Sequence, residues 1–308
     1  MSIAQQEAEI NRQLHLNDPL IVQYFYWLAA FLQGNWGQTS TSVYSGTVTG
    51  AIVLFYPNTI VLAIFSAILI TIIGIPLGVA SAVRKDSIFD QLTRVISFAG
   101  FSIPVYWLGL LLIIVFASSN VSPYLNWFPI GGTVDPRLVA SSTWFQGGVS
   151  SPTHLLILDA LINGRPDIFV NALLHLVLPV LTLTFGVIAS VLRVTRSSMQ
   201  DSLNQDYIRT ARAKGLSEKT VINVHARRNA LIPVVTLMGF LVANLLGGVV
   251  LTETVFNYIG LGYWGTQALL NGDVGGIMGV TFIFGLTFIV ANLGADIVYG
   301  YIDPRIRY

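Results

Sequence analysis

Residues 60–83 read IVLAIFSAILITIIGIPLGVASAV, twenty-four residues without a charge. A bilayer core is crossed by about 20 apolar residues in helix, so this run predicts a membrane span, Ile60–Val83. Four further runs have the same character: Val95–Phe116, Leu173–Leu192, Leu231–Leu251 and Ile277–Tyr301, the last with Asp296 near its C-terminal end. Strands of a membrane barrel alternate apolar and polar residues over about 10 positions, and these runs do not. Composition agrees: 54% of the 308 residues are hydrophobic and 10% charged, with mean hydropathy +0.69. A soluble domain carries about 25% charged residues. The fold expected is an all-α membrane protein of about five transmembrane helices.

The basic residues orient it. Arg84, Lys85 and Arg94 lie in the 84–94 loop, and Arg305 and Arg307 in the tail. Arg193, Arg196, Arg209, Arg212, Lys214, Lys219, Arg227 and Arg228 lie in the 193–230 loop, whereas the 252–276 loop has none. Arg12, Arg137 and Arg165 are scattered over the N-terminal segment and the 117–172 loop. Loops rich in Lys and Arg stay cytoplasmic, which predicts the N-terminus outside and the C-terminus inside. Residues 1–55 then form an extracytoplasmic segment and 56–308 the transmembrane domain. The opening MSIAQQEAEI has no apolar core of the signal-peptide kind. A short tail crossing unaided, or a helix preceding the chain, would reconcile that start with an outside N-terminus.

Outside the spans, residues 18–34 (DPLIVQYFYWLAAFLQG) are apolar and aromatic but contain Gln23 and Gln33. They read either as an interfacial helix on the outer leaflet or as a partly buried loop helix. The 117–172 loop is too long for a passive turn and carries Trp127, Phe128, Trp144 and Phe145. It reads as a cap, a docking surface or a variable insertion. Asn120-Val121-Ser122 is a sequon of the kind common by chance. Gly74-x-x-x-Gly78 and Gly275-x-x-x-Gly279 offer small faces for close helix packing. Pro76, Pro104, Pro179 and Pro233 fall in or at the ends of helices, where kinks suit a moving span.

No catalytic constellation stands out. There are no cysteines, which excludes a disulfide framework and Cys-ligated metals. His15, His154, His175 and His225 lack the spacing of a zinc helix. None of the three lysines follows a glycine, so no P-loop exists. Gly260-Leu261-Gly262-Tyr263-Trp264-Gly265 matches G-x-G-x-x-G, but it follows a span and only Asp273 lies downstream before the next. It reads as a glycine-rich turn at the outer mouth rather than a dinucleotide site. Glu253 and Asp296, both near span ends, are poor signs of an ion-coupled path.

The most informative stretch is Asp206–Lys219, DYIRTARAKGLSEK. Residues 206–214 suit a helix, Gly215 a C-cap, and Ser217 the N-cap of a second short helix running into Arg227-Arg228-Asn229-Ala230. The result is a helix–turn–helix elbow continuous with two spans. It either transmits a push from a cytoplasmic partner or merely fixes topology against the headgroups.

This loop resembles the coupling (EAA) loop of binding-protein-dependent ABC importers. DYIRTARAKGL followed by RRNALIPVV is similar to the dipeptide/oligopeptide-type permeases. The pattern E-A-A-x-x-x-G aligns Arg209, Thr210, Ala211 and Gly215, with the Glu and first Ala replaced, as in the peptide-type branch. LLGGVVLTETVF (245–256), GLG (260–262), YIDPRIRY (301–308), ISFAGFSIPVYWLGLLL (96–112) and NDPLIVQYFYWL (17–28) extend the likeness over nearly the whole chain. Ile259 stands where the family often has proline. The family also carries a further N-terminal helix, and this chain begins after its place.

The resemblance implies a non-catalytic permease subunit in the cytoplasmic membrane of a prokaryote, working by alternating access. Its implied partners are a second permease subunit in a heterodimer, two ATPase subunits, an external substrate-binding protein and membrane lipid; nucleic acid is not among them. ATP and magnesium would be bound by the ATPases, with no cofactor on this chain. The ATPase-coupling residues implied are Tyr207, Arg209, Thr210, Ala211, Arg212, Ala213, Lys214, Gly215 and Leu216. Asn244 and Glu253 are candidates for the translocation path. Peptides are the substrates suggested, with oligosaccharides and nickel as further options. An ion-coupled secondary transporter is the alternative, though neither internal repeats nor mid-membrane carboxylates favour it.

Overall fold

The computed structural model describes residues 11, 15–118, 121, 124–146, 148–246 and 249–302. The opening MSIAQQEAEI, Asn120 and Ser122 of the sequon, Gly247-Gly248 and the end of the tail from Asp303 lie outside them.

Four helices are long and apolar enough to span a membrane, and a bent pair makes a fifth crossing if counted as one. An exposed helix α1 (Leu20–Leu32) leads into a hairpin of β1 (Gln38–Ser40) and β2 (Ser45–Thr47), antiparallel with Gln38 opposite Thr47. Then comes α2 (Val48–Val83), started by Thr47, whose Oγ1 accepts from Gly50 N. Its 36 residues extend about 54 Å, well beyond the hydrocarbon core. The helix begins twelve residues before the apolar run, so the expected boundary at 55/56 falls inside it.

The expected span Val95–Phe116 is two helices, α3 (Ile88–Ser102) and α4 (Val105–Phe116), bent by 106°. Proline disfavours helical backbone in the residue before it, and Ile103 is accordingly extended (φ −88°, ψ 120°) ahead of Pro104. Pro57, Pro76, Pro179 and Pro233, by contrast, lie within continuous helices.

The 117–172 stretch holds α5 (Pro136–Val139), a two-stranded hairpin of β3 (Phe145–Gln146) and β4 (Val149–Ser150), and α6 (Leu156–Ile162). The two hairpins are the departure from an all-α chain. Helix α7 (Pro166–Leu203) already begins within that stretch and contains the expected Leu173–Leu192 span. After the short α8 (Asp206–Ala213) and α9 (Glu218–Thr220), a π-helical turn (Val221–Ala226) runs into α10 (Arg227–Leu246). The 193–230 loop is thus almost entirely helical. The fourth span stops at Leu246, and Leu251 belongs to a separate short helix, α11 (Val250–Val255). Helix α12 (Leu261–Leu270) and the last span, α13 (Val274–Ile302), follow.

Helix α7 is the axis of the bundle: α2, α3, α4 and α10 all pack against it. Its buried residues Leu178, Leu183 and Val191 meet Leu62 and Ile70 of α2 and Val234 of α10 in the main core. The expected small faces are real approaches. A Cβ on Gly78 would lie 2.6 Å from Thr195 Cβ, and one on Gly279 would collide with Val48. The α2–α7 pair therefore meets backbone to side chain just where both helices approach the basic end of the bundle.

Candidate functional site

At the basic end, α7, α8 and the start of α10 form the elbow expected from the sequence. Helix α8 ends at Ala213, Gly215 takes φ +77° and Ser217 Oγ accepts from Thr220 N. Positive φ strains any residue with a Cβ, which is why glycine serves the turn. Arg212 Nε donates to Glu218 Oε1 at 2.6 Å, clamping the two short helices across that turn.

The elbow has a core of its own. Ile208 and Ala211 of α8 are buried among Ala82 of α2, Met199 of α7, Val221 and Ala226 of the π turn and Ala230 of α10. Ser202 Oγ is 2.6 Å from Tyr207 Oη and donates to Ala226 O at 2.9 Å. That carbonyl lies in the π turn, where wider winding leaves backbone groups for side chains to satisfy. Ala82 of α2, Met199 of α7 and Ala230 of α10 thus share one packed unit with α8.

The outward surface is bare. Tyr207, Arg209, Thr210, Arg212, Ala213, Lys214, Gly215 and Leu216 are exposed, and of the nine expected coupling residues only Ala211 turns inward. Arg209 keeps three-quarters of its side chain in solvent, with a 3.3 Å contact to the equally free Asp206. Sequence reasoning missed Ser202, Ile208 and Glu218. Ile208 was visible as the one large apolar residue in DYIRTARA; Glu218 bonds across a turn of no fixed spacing and carried no signal.

One turn above the elbow lies a second unexpected feature. Asp90 of α3 is fully buried and accepts from Ser81 Oγ (2.6 Å), Asp86 N (3.0 Å), Arg94 Nη2 (2.5 Å) and Arg196 Nε and Nη2 (2.6 and 2.9 Å). It joins α2, α3 and α7 at a single carboxylate.

The two path candidates differ. Asn244 is exposed on α10, and its amide donates to Phe240 O of its own helix. With Thr236 and Phe240 it forms one exposed stripe of that span. Glu253 lines nothing open: it is wholly buried. Its Oε1 accepts from Thr59 Oγ1 (2.6 Å) and Oε2 from Tyr263 N (2.8 Å), while Leu261 N donates to Thr59 Oγ1. Glu253 lies on α11, between spans, where burial pushes its carboxyl up to about 7 against the lowering effect of those hydrogen bonds. Gly260 and Gly262 press on it; a Cβ at Gly260 would lie 2.5 Å from the carboxylate. The G-x-G-x-x-G match is therefore a packing device around a buried acid. Among the described residues, no cluster of His, Asp and Glu could hold a metal.

The profile of the family described as "Binding-protein-dependent transport system inner membrane component" matches residues 74–308. The chain belongs to this family. A probable D,D-dipeptide transport system permease protein of Escherichia coli K12 is 38% identical, over 96% of this chain and 83% of the relative. The dipeptide transport system permease protein DppB of the same strain is 36% identical over 99% and 86%. An oligopeptide transport system permease protein of Bacillus subtilis is 40% identical over 95% and 82%. Among solved structures, the inward-facing MetNI methionine ABC transporter is similar in fold, with TM-score 0.58 at 16% identity over 82% of this chain and 97% of that one. As a family member the chain is an inner membrane component of a transport system, with several membrane-crossing helices.

Proposed function

We propose that this chain is one permease subunit of an ATP-driven importer of dipeptides or oligopeptides, coupled to its ATPases through α8 and the Gly215 turn. The observation that carries the reading is the elbow itself: an exposed face, Tyr207 to Leu216, on a small helix whose other face is locked into the bundle. Arg209, Thr210, Arg212 and Lys214 offer charge and hydrogen bonds to a groove on an ATPase. Closure of the ATPases on ATP would displace α8, and α7 and α10 would move with it through Met199, Ile208 and Ala226. ATP and its metal are needed only on the partner chains.

In this reading the basic end faces the cytoplasm and α1 lies on the outer leaflet with Tyr24, Phe25 and Trp27 in the headgroup zone. The stretch 117–172 and the β1–β2 hairpin face the external binding protein. Asn244 belongs to the path or to the seam with the second permease subunit, since an amide facing hydrocarbon is costly. The peptide substrate rests on the relatives, whose names specify dipeptides and oligopeptides.

The test is Gly215→Trp, alone and beside Gly215→Ala, read as uptake of labelled dipeptide and as co-purification of P-loop ATPases. The bulky variant is expected to lose uptake and ATPase binding together while still reaching the membrane. Normal uptake by Gly215→Trp would remove the elbow from the mechanism. Uptake that survives ATP depletion and collapses with the proton gradient would instead favour an ion-coupled carrier.

A further inference from the structure

Beside the Asp90 junction, α2, α3 and α7 enclose a cavity of 340 Å³. We propose that it binds the phosphate headgroup of an anionic phospholipid, with an acyl chain running down the exposed face of α3.

Three arginines line this cavity: Arg94, Arg193 and Arg196. Asp90 engages two of them, Arg94 and Arg196, and Asp86 supplies a second carboxylate to Arg94. Arg193 has no carboxylate partner among the described residues; its guanidinium sits over the Phe101 ring, 4.6 Å from the centroid. A guanidinium so placed keeps its in-plane N–H donors free, and these match phosphate oxygens in geometry.

The lining of the cavity changes character along α3. Arg94 and Arg196 stand at one end of it; one and two turns along α3 from Arg94 are Phe98 and Phe101, both exposed, with Arg193 over the Phe101 ring. That is the profile of an amphiphile standing in a leaflet, and basic pockets between helices at headgroup level are recurrent sites for acidic lipids. From Arg94 onward, Val95, Phe98 and Phe101 are exposed along α3 at helical spacing without a polar residue between them on that stripe. A path for a hydrophilic solute would need polar lining there, and a lipid chain does not. The proposal needs only that the chain crosses a membrane, and it stands whichever partner drives transport.

The test is native mass spectrometry of the full chain, with whatever subunits co-purify, titrated with phosphatidylglycerol or phosphatidylethanolamine of the same acyl chains. Phosphatidylglycerol is expected to bind about fivefold more tightly, the effect of one basic group at an anionic headgroup. Arg193→Gln, at an exposed position without an ion pair, should erase that preference, and Arg193→Lys should retain part of it. Equal affinity for the two lipids, or an unchanged preference in Arg193→Gln, would overturn the proposal. So would displacement of phosphatidylglycerol by a dipeptide or by inorganic phosphate, which would assign the arginines to a soluble anion. Binding to the free chain but never to an assembly holding a second permease subunit would make the cleft a subunit interface and overturn it as well.

Discussion

Of the three fully buried carboxylates among the described residues, Asp159 is held by Ser150 and Thr153, while Asp90 and Glu253 sit at opposite ends of this bundle and are neutralised in opposite ways. Asp90, at the basic end, takes two arginines, a hydroxyl and an amide. Glu253, at the other end, takes one hydroxyl and one amide, and no ion pair reaches it among the described residues. Asp90 ties three helices of the bundle into one fixed point beside the elbow. Glu253 ties only α2 to the α11–α12 turn, through Thr59 and the glycines, while Asn58 beside it donates to Ile259 O. A buried charge is tolerated when paired and hydrogen-bonded; a buried acid without a cation drifts toward its neutral form. The end nearest the elbow is therefore held by charge, and the far end by packing and hydrogen bonds around a carboxyl that burial shifts toward its neutral form.

The strongest blow to this contrast is Asp90→Asn. The side chain keeps its size, but Arg196, mostly buried, then faces an amide. Breaking a buried pair from one side costs about 3 kcal/mol, the lower end of the usual range because Arg94 still reaches solvent. The purified transporter should show a clear drop in apparent melting temperature. Asp90→Leu combined with Arg196→Met should recover much of it, since no orphaned charge then remains at that pair. An Asp90→Asn protein that melts with the native one would reduce the junction to an ornament.

The Asp90 junction also marks where sequence reading stops. Arg94 stands four residues from Asp90, a spacing any helix brings together, but Arg196 lies 106 positions away. Nothing in a sequence of apolar spans sets the rotation of one about another. Local rules reached much further: the spans follow from uncharged length, and the elbow from Gly215 and Ser217, whose roles depend on a few neighbouring residues. The break at Ile103–Pro104 was not legible, because four other prolines sit inside unbroken helices. The early start of α2 was missed because helix formation needs only the Thr47 cap and continued hydrogen bonding, not the apolar run that identified the span. Glu253 is a path candidate in the sequence because an acid in a loop between spans says nothing of its burial; the glycines that enclose it lie seven and nine residues on.

A smaller effect is expected from Gly260→Ala. The added methyl meets the Glu253 carboxylate rather than a flexible tip, since Glu253 is held by Thr59 and Tyr263. Overpacking of this kind costs about 2 kcal/mol. Pairing it with Glu253→Ala should relieve the clash, so the double variant should be less unstable than the sum of the two. Strict additivity would mean that glycine serves the backbone there and not the acid.

The smallest effect is the most direct reading of the contrast, because it follows the proton itself. The Glu253 carboxyl is raised by burial from its ordinary 4.5 to about 7 in the folded chain. Between those values the folded state holds a proton that the unfolded state has released, so stability falls as pH rises across that window and levels off above it. The expected loss is on the order of 1 kcal/mol, because relaxation and water entry around the ionised carboxyl soften the burial penalty. Other groups titrate over the same range, so the informative quantity is the difference between the native melting profile and that of Glu253→Gln. The glutamine variant should lose the part of the slope between pH 5 and 7, its amide oxygen accepting from Tyr263 N and its amide NH2 donating to Thr59 Oγ1. Superimposable profiles would place an ionised carboxylate in a dry site without a cation, and the two ends of the bundle would then differ only in the number of their hydrogen bonds.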